Sequence, residues 1–85
     1  MAKYSVRIKP AALKELEQLP AKIVRQIIQR IEDLATNPRP MGVEKLAGVD
    51  GYRVRQGNYR IVYAIDDHAR EVDVYKIGHR REVYR

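Results

Sequence analysis

Between Ile23 and Ala35, the apolar residues Ile23, Val24, Ile27, Ile28, Ile31, Leu34 and Ala35 recur at spacings of three and four. That rhythm puts them on one stripe of a helix, with Lys22, Arg25, Gln26, Gln29, Arg30, Glu32 and Asp33 around the rest. A stripe this wide must be buried against something. Ahead of it, Ala12, Leu13, Leu16 and Leu19 keep the same spacing behind Pro10, a residue suited to the first helical position. Pro20 ends the first helix and can open the second, so the sequence predicts a helical hairpin.

The flanking segments change period. Tyr4, Val6 and Ile8 alternate with Ser5, Arg7 and Lys9, as a half-buried strand requires. After the hairpin, NPRPMGVEKLAGVDG has two prolines, three glycines and no period, and reads as a connecting loop with Leu46 as an anchor. Tyr52 to Gln56, Tyr59 to Ile65 and Glu71 to Ile77 are then rich in Val, Ile and Tyr, separated by Gly57-Asn58 and Asp66-Asp67-His68. They predict a three-stranded meander. Helices with one apolar stripe bury it on a sheet, so the order βααβββ implies a small α+β domain. Its sheet is antiparallel-dominated, with the two-helix hairpin packed on one face. The other face is left to solvent or ligand.

A chain of 85 residues can build one core, so residues 1–85 are expected to form a single domain. It has no cysteine, which excludes disulfides and thiolate metal sites. No apolar run approaches the roughly 20 residues of a membrane helix, and MAKYSVRIKP lacks a signal-peptide core, pointing to a cytoplasmic protein without membrane contact.

Lys and Arg number 17 against 11 acids, a net charge of +6 that favours polyanionic partners, nucleic acid before acidic protein. If Gly57-Asn58 is a two-residue hairpin loop, Arg55 pairs with Arg60, Val54 with Ile61 and Arg53 with Val62. Arg53, Arg55 and Arg60 then share the open face, while Tyr52, Val54, Tyr59, Ile61, Tyr63 and Ile65 face the helices. Opposed arginines repel by some tenths of a kcal/mol up to about 1. An anion between them reverses the sign. Singly, each arginine would pass as a solvated strand residue; three on one hairpin face favour an anion site. The terminal stretch GHRREVYR is expected to bring His79, Arg80, Arg81 and Tyr84 to the same edge, with Tyr84 offering a ring for a base.

The sequence contains no HExxH, Walker loop, GxGxxG or paired carboxylates, and no metal or cofactor is expected. Metal-free RNA cleavage needs none, because the substrate supplies its own 2′-OH nucleophile and arginines can stabilise the phosphorane charge. His79 is the one side chain in the cluster with an ordinary pKa suited to proton transfer near neutrality.

The segments ALKELEQLP, KLAGVDGYRVRQGNYRIVYAID and IGHRREVYR resemble the RelE/ParE superfamily of bacterial toxins, on the RelE side, over nearly the whole chain. The resemblance implies a βααβββ fold and a metal-independent, ribosome-dependent mRNA endonuclease working in the ribosomal A site. It also implies a RelB-like antitoxin that wraps the toxin, and operator DNA contacted only through that antitoxin. By motif it implies phosphate binding by Arg53 and Arg60, transition-state or leaving-group assistance by Arg80, and stacking or orientation of the substrate by Tyr84; Arg55 and Arg81, from the basic clusters themselves, are expected to bind RNA phosphates. The family pattern has lysine where this chain has Arg55. Either His79 moves the proton instead, which is the preferred expectation, or Arg55 acts only by its charge. Two other classes compete: a ParE-like inhibitor of DNA gyrase and a noncatalytic RNA- or ribosome-binding module.

Overall fold

The proline-headed stripes become helices where their spacing predicts. In a computed structural model describing residues 3–46 and 51–79, α1 spans Pro10–Glu17 and α2 spans Ala21–Thr36. Neither has a side-chain N-cap, since Lys9 and Pro20 hold those positions. An uncapped helix of 8 residues is not stable by itself in water. Burial of Ala12 and Leu16 holds α1 in place. In α2, Ile27, Ile31 and Leu34 are buried, and Ile23, Val24 and Ile28 pack half-buried around them.

These side chains close on a five-stranded sheet of order β1-β5-β4-β3-β2. The strands are β1 (Ser5–Ile8), β2 (Glu44–Lys45), β3 (Tyr52–Gln56), β4 (Tyr59–Asp66) and β5 (Glu71–His79). β1 runs parallel to β5 and the other pairings are antiparallel. The sheet side of the core is Val54, Ile61, Tyr63, Val72, Val74 and Ile77. Each fully buried aliphatic contributes about 1.5–3 kcal/mol. This is the α+β arrangement that the periods imply. β2 departs from the expected loop: its two exposed residues carry no periodic signal, and backbone pairing of Glu44 with Arg53 and Lys45 with Tyr52 creates it.

β5 contains a further departure. Between the pairs Val62–Lys76 and Tyr63–Val74 the register shifts by one, leaving Tyr75 as an extra residue. Strict alternation from Val72 and Val74 would send Lys76 into the core. The bulge brings in Ile77 opposite Ile61 instead.

Polar links tie the loops to this core. The buried Tyr63 hydroxyl donates to the Pro38 carbonyl at 2.6 Å, and burial pushes its pKa up to about 12. Asp67, in the β4–β5 turn, accepts from the Arg39 guanidinium at 2.8 and 3.1 Å and from the Tyr4 hydroxyl at 2.6 Å. First the Arg39 bonds and then the Tyr4 bond hold the Asp67 carboxyl down to about 2, from 3.8. A depressed folded-state pKa gives stability that is present above the unfolded value and lost as pH falls through the folded one. Asp67→Asn should therefore melt below the parent protein near neutral pH, and the gap should close between pH 3.8 and about 2 in melting curves followed by circular dichroism.

Candidate phosphate-binding face

The β3–β4 hairpin sets the positions of the arginines. Gly57 turns the chain with φ of 62°, and the register is Gln56–Tyr59, Arg55–Arg60, Val54–Ile61, Arg53–Val62 and Tyr52–Tyr63, as the sequence predicts. Because directly paired residues share a face, Arg53, Arg55 and Arg60 lie on the side away from the helices.

The surroundings of the three differ from the open surface expected. Arg55 is exposed, in a groove of about 500 Å³ with Arg30, Gly42, Val43 and Glu44. The Arg53 side chain is only 13% exposed and donates through Nε and Nη2 to Glu44 Oε1, at 3.2 and 3.0 Å. Arg60 is 3% exposed, the one charged residue among the buried described residues. Its neighbour across β5 is Gly78, which presents no side chain to compete for space.

Part of the cover is Tyr75. Its hydroxyl lies so close to Gly51 that a Cβ there would collide with it, so the ring reaches from β5 toward the start of β3. Val62, between them on β4, is 4% exposed. The face is thus a partly closed surface with Arg55 at its accessible side, where a bare one was expected.

His79 does not join the arginines. It pairs with Tyr59, and its ring meets the Tyr59 ring edge-on at 5.7 Å between centroids. Tyr59 shares the face of Ile61, so His79 lies on the helix side, lining a cavity of about 400 Å³ with Lys14, Gln18, Leu19 and Ile77. The cause is the bulge, which reverses the alternation after Val74. Arg80, Arg81 and Tyr84 lie outside the described residues.

Sequence reasoning missed Glu44, Tyr75 and Gly78. Only Gly78 carried a local sign, a glycine at a strand end.

A family model described as the ParE toxin of type II toxin-antitoxin systems matches residues 6–84. The toxin RelG of Mycobacterium tuberculosis is 33% identical, with 96% of this chain and 97% of RelG covered. This chain is a type II toxin of the RelE/ParE superfamily. Its RelE character is supported by the toxin RelE of the same organism, 34% identical over 96% of this chain and 87% of that one. The toxin fold also superimposes on the M. tuberculosis toxin-antitoxin complex RelBE2, with a TM-score of 0.83, 28% identity, and coverage of 92% of this chain and 99% of that one.

The hairpin geometry makes a direct prediction for the toxin. No atom stands within 4 Å of a Cβ built at Gly57, so replacement there meets backbone strain and not crowding. Gly57→Ala should lower stability by about 1–2 kcal/mol, and Gly57→Asn by less, because Asn tolerates the left-handed region. Urea midpoints at constant m-value check this.

Proposed function

We propose that this toxin is a metal-independent, ribosome-dependent mRNA endonuclease, with the arginine-bearing face holding the scissile phosphate. The observation that carries the reading is the direct opposition of exposed Arg55 and buried Arg60, next to Arg53. Two guanidinium groups in register favour an anion beside them, and a phosphate gaining charge in the transition state gains most. In the proposed reaction the 2′-hydroxyl loses its proton to solvent as its oxygen bonds to the adjacent phosphorus, the bond from phosphorus to the 5′-oxygen breaks, and the 5′-oxygen leaves with a proton taken from solvent. Arg53 and Arg60 position the phosphate, and Arg80, Arg81 and Tyr84 complete the site from the terminal segment. A RelB-like antitoxin is the proposed partner in the cell, supported by the RelBE2 complex among the structural relatives. Operator DNA is then reached through that antitoxin.

The position of His79 favours one of the two substitutes for the family's lysine. With the imidazole on the helix side of the sheet, we take Arg55 to act by charge at the phosphate. A His79→Gln variant should then keep the parent's pH-rate profile; a profile flattened near neutrality would return His79 to proton transfer.

Cleavage of mRNA in a translating extract tests the whole reading. Truncated messages are expected, and Arg55→Ala should reduce their rate of appearance by about a hundredfold or more while the fold is retained. The ParE description of the matching family model supports a second reading, gyrase inhibition. DNA damage without truncated message would favour it, and neither outcome would leave a binding module.

A further inference from the structure

Aromatic rings are scarce in this toxin, and all but one of those described serve the core. The chain has 6 tyrosines and neither phenylalanine nor tryptophan. Tyr63 is buried, and Tyr4, Tyr52 and Tyr59 pack half-buried against the same cluster. Tyr75 is the one described tyrosine outside it, with 37% of its surface exposed.

The sheet alternation fixes the face on which that ring lies. Tyr52 points to the helices, so a Cβ on Gly51, its neighbour in sequence, would point to the arginine side. The Tyr75 hydroxyl occupies the space which that Cβ would need. The ring therefore crosses β4 on the arginine side, over Val62, the register partner of Arg53. Arg55 and Arg60 are paired two residues further along the hairpin. Two residues of strand are about 7 Å, a step that one nucleotide covers between its phosphate and its base.

Cover alone does not call for an aromatic side chain, since an aliphatic one would shield Val62 equally well. What tyrosine adds is a flat face open to solvent beside guanidinium groups. Seating of the hydroxyl against Gly51 holds the far end of the ring, so little freedom is lost when something stacks on it. Burial also raises the pKa of the Tyr75 phenol above its ordinary value, which keeps it protonated at neutral pH and unsuited to act as a base. A ring held in place beside phosphate-binding cations is the arrangement that single-stranded nucleic acid uses to stack an unpaired base.

We propose that Tyr75 is a base-stacking residue of the arginine face, taking the base of a nucleotide that flanks the scissile phosphate. The inference rests on the reading of this toxin as an endonuclease with its substrate phosphate at Arg55 and Arg60. Stacking accepts any base, and its strength grows with the size of the ring system. Tyr75 thus gives a preference for purines at one flank of the cut. Because the bulge removes Tyr75 from strand pairing, its side chain can serve the substrate without disturbing the ladder.

A cycle between ring and base decides this. Ribosomes are programmed with messages whose nucleotide on either side of the cut carries a purine, carries a pyrimidine or lacks its base. With the parent toxin, removal of the base at one flank should slow cleavage by about tenfold or more at limiting toxin. Tyr75→Leu should show that loss already on the purine message, and removal of the base should then cost it nothing further. Tyr75→Phe, which keeps the ring, should stay within about twofold of the parent and retain the dependence on the base. An equal defect of Tyr75→Leu on purine and baseless messages would mark a structural role and overturn the proposal. So would a parent toxin indifferent to the base at both flanks, or a Tyr75→Phe variant that has lost the dependence. If the parent cuts no message, the endonuclease reading fails and stacking is decided by nuclear magnetic resonance. The Tyr75 ring protons, assigned by their absence in Tyr75→Phe, should move upfield with a 2′-O-methylated single-stranded RNA and stay in place with a strand of equal length lacking bases. Ring protons that respond equally to both strands, or to neither, would overturn stacking.

Discussion

One extra residue in β5 sets much of what the two faces of the sheet can do. β5 lies between β1 and β4 and must supply apolar side chains to the helices along most of its length. Val72 and Val74 do this by alternation, and Ile77 can follow only because Tyr75 drops out of register. The same slip puts Gly78 opposite Arg60 and His79 opposite Tyr59. A core requirement at Ile77 thus fixes which titratable groups share a surface near the end of the strand. Tyr75, released from pairing, spans toward Gly51 and contributes cover to the arginine face.

Charge on that face is arranged in two halves. Toward β1, Arg7 sits with Asp73 and Glu71, and the exchange of bonds is internal. Toward β2, Arg53, Arg55 and Arg60 lie in adjacent register positions, and Arg53 is bonded to Glu44. Exposed pairs such as those of Arg7 add little stability, commonly under about 1 kcal/mol. Their larger effect is on the local field, which they reduce at the β1 end of the sheet.

The features legible in the sequence were those written in local period. The helical stripes, the hairpin turn at Gly57-Asn58 and the full β3–β4 register follow from spacing and one glycine, because a two-residue loop leaves no freedom in the pairing that follows it. What escaped depends on distant partners. β2 exists through the backbone of β3, so the neutralisation of Arg53 by Glu44 could not be foreseen from a stretch that reads as loop. The placement of His79 failed for a subtler reason: Val72, Val74 and Ile77 change spacing from two to three, a sign of a bulge that is as easily taken for a strand ending. The burial of Arg60 is likewise a property of what covers the face, not of the alternation that pointed it there.

Glu15 shows how the short first strand is accommodated. β1 has four residues and β5 nine, so beyond Val74 the border of β5 has no strand beside it among the described residues. Glu15, reaching down from α1, accepts the Ile77 backbone N–H at 2.9 Å and the Lys76 ammonium at 3.0 Å. A foreign chain trying to lengthen the sheet at this point finds that amide taken and a carboxylate in its way. The helix that seals the core therefore also works as a guard against unwanted strand addition, a task that sheet proteins otherwise give to lysines, prolines or bulges along the rim.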